Sequence, residues 1–205
     1  MHIRHPLIGF FVLAALGACA QESAPPDLVS TLRYSYGFRV GLGFSAYSDG
    51  RDAAKLRPTA ALTGAYNVPF INCWLGASGA FEFRPDASLG DFSAPYAAAT
   101  IFLRTGHGPN RAHLLLGLGR NWALGDNPAD TDFAEYTRQD SFIMLGFESD
   151  YTHRLRHSNA LGVYFNYGIT PAIRGYRFSP GGGRITSDNT RHLALTISLS
   201  PYWFR

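Results

Sequence analysis

From Leu32 to Phe44 every even position carries a large apolar or aromatic side chain, and the odd positions from Thr31 to Ser45 carry only Thr, Arg, Ser or Gly. A period of two sends successive side chains to opposite faces of a strand, so this run reads as one strand with a greasy face and a small or polar face. It is long enough to cross a bilayer at a tilt, which takes about ten residues.

The alternation recurs. Over 56–67, Leu56, Ala60, Leu62 and Tyr66 oppose Arg57, Thr59, Thr63 and Asn67. Over 71–84, Ile71, Cys73, Leu75, Phe81 and Phe83 oppose Asn72, Trp74, Ser78, Glu82 and Arg84. A fourth strand at 96–105 sets Ile101 and Leu103 against Thr100 and Arg104. The fifth, 112–124, is Leu-rich, and its alternation blurs at Arg120, where a bulge is expected. The sixth, 141–152, opposes Ile143, Leu145, Phe147 and Tyr151 to Met144, Glu148 and Asp150. The seventh, 160–170, and the eighth, 192–204, alternate just as regularly, the latter as Leu193, Leu195, Ile197 and Leu199 against Ala194, Thr196, Ser198 and Ser200.

The connections alternate in length. Long polar segments (46–55, 85–95, 125–140, 171–191) follow the odd-numbered strands, and short turns (68–70, 106–110, 154–159) follow the even-numbered ones. Together these patterns predict an all-β fold over 31–205, a closed up-and-down antiparallel transmembrane β-barrel of about eight strands. Its short turns and both ends would lie on the periplasmic side.

Composition decides which face meets water. Charged residues are 16% of the chain, and Lys55 is its only lysine. The non-greasy face is mostly Gly, Ala, Ser, Thr and Tyr with a few ions. That is a poor exterior for a water-soluble barrel of the lipocalin kind, whose outer face is richly charged. It suits a narrow interior, where eight strands leave room only for side chains. Glycine (22 residues) and aromatics (14%) are both high, as an interior of small residues and an aromatic interface girdle require. The net charge of +3 is too weak a bias to point to nucleic acid.

The amino terminus reads as a leader. Met1-His2-Ile3-Arg4-His5 is basic, Leu7 to Leu16 is apolar, and Gly17-Ala18-Cys19-Ala20 is small. This is the layout of a secretory signal over 1–20. Two processing sites compete. Ala18-Cys19-Ala20 is an A-x-A site, and Leu16-Gly17-Ala18-Cys19 resembles a lipobox that would leave Cys19 lipidated. Residues 21–30 would form a flexible periplasmic tether. With Cys19 removed or acylated, Cys73 would have no intrachain partner, so no disulfide is expected.

Across 31–205 the chain resembles, in architecture, the small outer-membrane barrels of the OmpA/OmpX type. Its last strand is similar to the carboxy-terminal signal read by the outer-membrane assembly machinery, although Phe204 is penultimate and Arg205 ends the chain. The resemblance implies location in the outer membrane of a Gram-negative bacterium. Contacts with outer-membrane lipids and lipopolysaccharide, and a monomeric state, are expected with it.

The inward face would carry Arg33, Arg39, Arg57, Glu82, Arg84, Arg104, Glu148 and Asp150. Counted from the strand ends, Arg33, Arg104 and Asp150 fall near the periplasmic side. Arg39 and Glu148 fall mid-barrel, and Arg57, Glu82 and Arg84 fall near the outer rim. An unpaired buried ion costs several kcal/mol (order of magnitude), so arginine–carboxylate networks that plug the lumen are expected.

Enzyme signals are weak. His157-Ser158-Asn159 resembles the His-x-Ser-Asn stretch of lipid A deacylases but lacks the spacer, so His157 and Ser158 would point to opposite faces. It also falls in an expected turn. His107, His113, His153 and His192 show no metal-ligand spacing, and the acidic loop with Asp126, Asp130, Asp132, Glu135 and Asp140 lacks the order of an EF-hand. No catalytic residue, metal or cofactor is expected. The leading reading is a structural or surface-contact barrel acting through its long loops. A lipid A-modifying, deacylase-like enzyme and a lipid-anchored periplasmic barrel that binds an apolar ligand are the alternatives.

Overall fold

The computed structural model describes residues 32–48, 55–71, 73–85, 93–105, 112–124, 134–136, 139–154, 156–177 and 186–205. The signal segment, the tether and Cys19 lie outside these residues.

Eight long strands carry the alternation. They are β1 (Tyr34–Tyr47), β2 (Lys55–Val68), β3 (Cys73–Pro85), β4 (Ser93–Thr105), β5 (Ala112–Ala123), β7 (Gln139–Arg154), β8 (His157–Gly168) and β11 (His192–Phe204). Each pairs antiparallel with its neighbour, and β1 closes on β11, giving a barrel in the order β1-β11-β8-β7-β5-β4-β3-β2. Closure satisfies every ladder and leaves no edge strand, the condition for a sheet to sit in hydrocarbon. No helix among the described residues is long and apolar enough to cross a membrane.

Burial alternates with the ladder. In β1 the even positions Tyr34 to Phe44 are exposed, while Ser35, Arg39 and Ser45 are buried. Leu62 on β2 is 73% exposed and Ile101 on β4 is 63% exposed, and about two dozen other large apolar side chains are exposed around the cylinder. A water-soluble barrel would show the reverse. The alternative of a periplasmic barrel with an apolar cavity is therefore overturned, because the greasy face is outside and the buried face is largely polar.

Inside, large rings sit over glycines. Gly37 pairs with Tyr202, Gly76 with Phe102, Gly119 with Phe142 and Gly146 with Tyr164. A methyl group added at Gly119 would overlap the Phe142 ring, and one at Gly76 would overlap that of Phe102. Each missing side chain opens the space its cross-strand partner fills. Ala98, Phe102, Leu115, Phe142, Met144 and Tyr164 form an apolar layer within the barrel.

Several expectations need correcting. The turn placed at 154–159 is only two residues long: Arg154 pairs with His157, so His157, Ser158 and Asn159 lie in β8. The ladder irregularity falls between Asp150 and Thr152 on β7, whereas β5 runs through Arg120 in register. Parts of the two longest connections also pair: β6 (Ala134–Tyr136), β9 (Ile173–Arg177) and β10 (Thr186–Thr190) make a small three-stranded sheet. These segments are short and show no alternation, so no periodicity announces them. Finally, Cys73 is buried and disulfide-bonded. Expecting no disulfide rested on the loss of Cys19, a residue outside the described ones.

Candidate functional site

The inward charges gather in two places. Toward the end of the barrel that carries the short turns, Glu148 is the hub and is 0% exposed. Strand alternation on β7 sends Glu148 and Asp150 inward together, two residues apart. Arg104, inward from β4, donates from Nε to Glu148 Oε2 at 2.7 Å and from an Nη to Asp150 Oδ1 at 3.3 Å. Arg39, from β1, makes an ion pair with Glu148 Oε1 at 3.7 Å. The same oxygen accepts hydrogen bonds from the Tyr202 hydroxyl at 2.6 Å and from the Tyr164 hydroxyl. The guanidinium of Arg39 lies 3.8 Å over the Tyr164 ring, and that of Arg104 lies 4.9 Å from the centre of the Tyr202 ring. Five strands thus converge on one carboxylate, and its negative charge is matched by two stacked cations.

His113 on β5 extends the cluster. It is fully buried, with Nδ1 2.7 Å from the Thr105 carbonyl oxygen and Nε2 3.0 Å from Asp150 Oδ2. A carbonyl can only accept, so Nδ1 carries a hydrogen. Both ring nitrogens are thus engaged inside the barrel, at the Thr105 carbonyl and the Asp150 carboxyl group.

Toward the long-loop end, Arg57 on β2 pairs with Glu82 on β3 and donates to Thr196 Oγ1 across the barrel at 2.7 Å. Asn121 donates to Asp140 Oδ2 at 3.1 Å, and both side chains are buried.

Of the eight charges assigned inward from the sequence, Arg39, Arg104, Glu148 and Asp150 come together in the first cluster, and Arg57 and Glu82 pair in the second. Arg33 is exposed, because it precedes β1 and the inward–outward parity holds only within the ladder. Arg84 lies on β3, and its side chain is outside the described set. Reading the sequence missed His113 and Asp140. The signal for His113 was present in its odd position opposite Leu114, whereas Asp140 had been assigned to a loop.

The stretch resembling a deacylase motif splits as the missing spacer implies. Ser158 is buried, and His157 lies on the other face with its ring 5.4 Å from that of Trp203. Among the described residues, no group of three or more His, Cys, Asp or Glu side chains is arranged to hold a metal ion.

No protein-family model matches the sequence, and no curated protein matches it. Solved structures do. Outer membrane protein AlkL, determined by solid-state NMR in DMPC bilayers, is 14% identical with a TM-score of 0.50, covering 90% of this chain and 93% of that one. Neisserial surface protein A is 13% identical with a TM-score of 0.46, over 82% and 95% of the two chains. Ail, the attachment invasion locus protein of Yersinia pestis, solved with the heparin analogue sucrose octasulfate, is 11% identical with a TM-score of 0.43, over 83% and 99%. At these identities the likeness is one of fold. The chain has the fold of a small eight-stranded outer-membrane barrel of the OmpA/OmpX type.

Proposed function

We propose that the chain is an integral protein of the outer membrane of a Gram-negative bacterium, that its lumen is closed by paired side chains, and that it acts through the surface its long connections present outside the cell. The observation that carries this reading is the two-faced cylinder. Mid-strand outward positions are apolar or small and uncharged, whereas the ions point inward and are paired. Lipid accepts the first face, and only a charge-balanced interior tolerates the second.

The Glu148 cluster and the Arg57–Glu82 pair sit at different heights, with the apolar layer of Phe102, Phe142 and Met144 also within the barrel. An ion moving along the axis would have to break buried pairs in turn. The short-turn end would face the periplasm. The long-loop end, where β6, β9 and β10 pair, would face outward and offer a small ordered sheet for contact with lipopolysaccharide or a partner.

Planar bilayer recording on the purified protein tests the closed lumen. Only brief, small current steps are expected, and a large steady conductance would contradict the proposal.

A further inference from the structure

We infer that the short-turn rim carries a binding site for the phosphate of an anionic phospholipid, built by Arg33, Arg156 and Arg205 above an aromatic shelf. This inference rests on the outer-membrane reading, since it places that rim at a lipid leaflet.

Backbone hydrogen bonds bring the three arginines together. The Arg205 α-carboxylate accepts from the amides of Arg33 at 2.6 Å and Tyr34 at 2.7 Å, and the Arg205 amide donates to the Tyr34 carbonyl at 2.8 Å. The Phe204 amide donates to the Arg156 carbonyl at 3.0 Å. The three residues therefore lie at the ends of β1, β11 and β8, which are consecutive in the barrel. Neighbouring strands are about 4.8 Å apart, so the arc spans about 10 Å, the width of one lipid headgroup.

All three arginines are exposed. Among the described residues, the only side-chain carboxylates in this half of the barrel are Glu148 and Asp150, and both are buried and engaged with Arg39, Arg104 and His113. The α-carboxylate of Arg205 is held by the Arg33 and Tyr34 amides and leaves the three guanidinium groups with a net positive charge. No Asp or Glu among the described residues pairs with the rim arginines. The opposite rim differs: there Arg191 donates to the Tyr167 hydroxyl at 2.8 Å, and Arg120 is hydrogen-bonded to Gln139.

Just inside the arc, Tyr36 stacks on Trp203 at 5.9 Å and 16°, and Trp203 meets His157 on its other side. The Arg205 guanidinium lies 5.8 Å from the centre of the Tyr36 ring. Amphipathic rings of this kind sit at headgroup level. The Arg205 cation is thus held at the height of a lipid phosphate, with Arg33 and Arg156 on the neighbouring strand ends. Arginine's planar fork suits a phosphate diester, and a zwitterionic lipid would return much of the attraction as repulsion from its amine.

Native mass spectrometry of the folded barrel tests this. The barrel is mixed with phosphatidylglycerol and phosphatidylcholine of identical acyl chains. The wild type should retain phosphatidylglycerol about tenfold over phosphatidylcholine, and the preference should fall as salt is raised. Arg33→Gln, Arg156→Gln and Arg205→Gln should each lower the ratio about two- to fivefold. Arg191→Gln, on the far rim, should leave it unchanged. A folded wild type with no preference overturns the inference, as does a preference that survives all three substitutions. Failure of the wild type to enter bilayers at all would instead count against the outer-membrane reading. Should the triple variant fail to fold, the single variants and the salt series still decide.

Discussion

Glu148 shows how one residue organises the interior. Its carboxylate holds two arginines and two tyrosine hydroxyls drawn from four other strands. Glu148→Gln keeps the shape but leaves Arg39 and Arg104 facing each other without their shared counter-charge. Removing one member of a buried ionic group costs about 3–5 kcal/mol. The unfolding free energy from urea titration in bilayers should fall by that amount, and the double variant with Arg104→Gln should recover part of it. Gly119→Val makes a second test at this scale. Its side chain would occupy the space of the Phe142 ring, and overpacking of this kind costs about 1–3 kcal/mol, read by the same unfolding assay. Parity along the strands was enough to place Glu148 and Arg104 inside. It was silent on partners, because Arg104 reaches past β5 to β7, and a barrel's strand stagger fixes such heights only in three dimensions.

Among elements, the long strands were legible from the chain because a half-buried ladder imposes a period of two over a dozen residues. β11, at His192–Phe204, coincides with the alternating run, and β5 differs from its run by one residue. The ends were less legible. β8 begins at His157, three residues before the start at 160 that its alternating run suggested. The sheet of β6, β9 and β10 was invisible, since segments such as Thr186–Thr190 have no apolar face, and β6 pairs with β9 from a different connection. The strand faces also make a depth-dependent prediction. Leu62→Arg, at mid-strand on the outward face of β2, should destabilise the inserted barrel by about 2–4 kcal/mol. Tyr66→Arg, near the short-turn end of the same face, should cost about 0–1 kcal/mol. Equal costs at the two positions would mean that the face does not span a hydrocarbon layer.

At the scale of the whole molecule, closure joins the two faces into one device. Pairing β1 with β11 removes the last free edge and also seals the inward charges from lipid. The folded cylinder should therefore resist detergent and migrate faster on gels before boiling than after. A protein that unfolds in mild detergent without heating would contradict that. The signal segment, the tether and the fate of Cys19 were read from the chain alone and lie outside the described residues.

Photo-crosslinking with a phospholipid bearing a diazirine near the middle of its acyl chain asks most directly which side chains touch hydrocarbon. Adducts mapped by peptide mass spectrometry should fall on Leu62, Ile101, Leu145, Val163 and Ile197, and not on their inward neighbours Thr63, Thr100, Met144, Tyr164 and Thr196. Labelling of the inward set, or a freely water-soluble monomer that takes no label, would contradict the account.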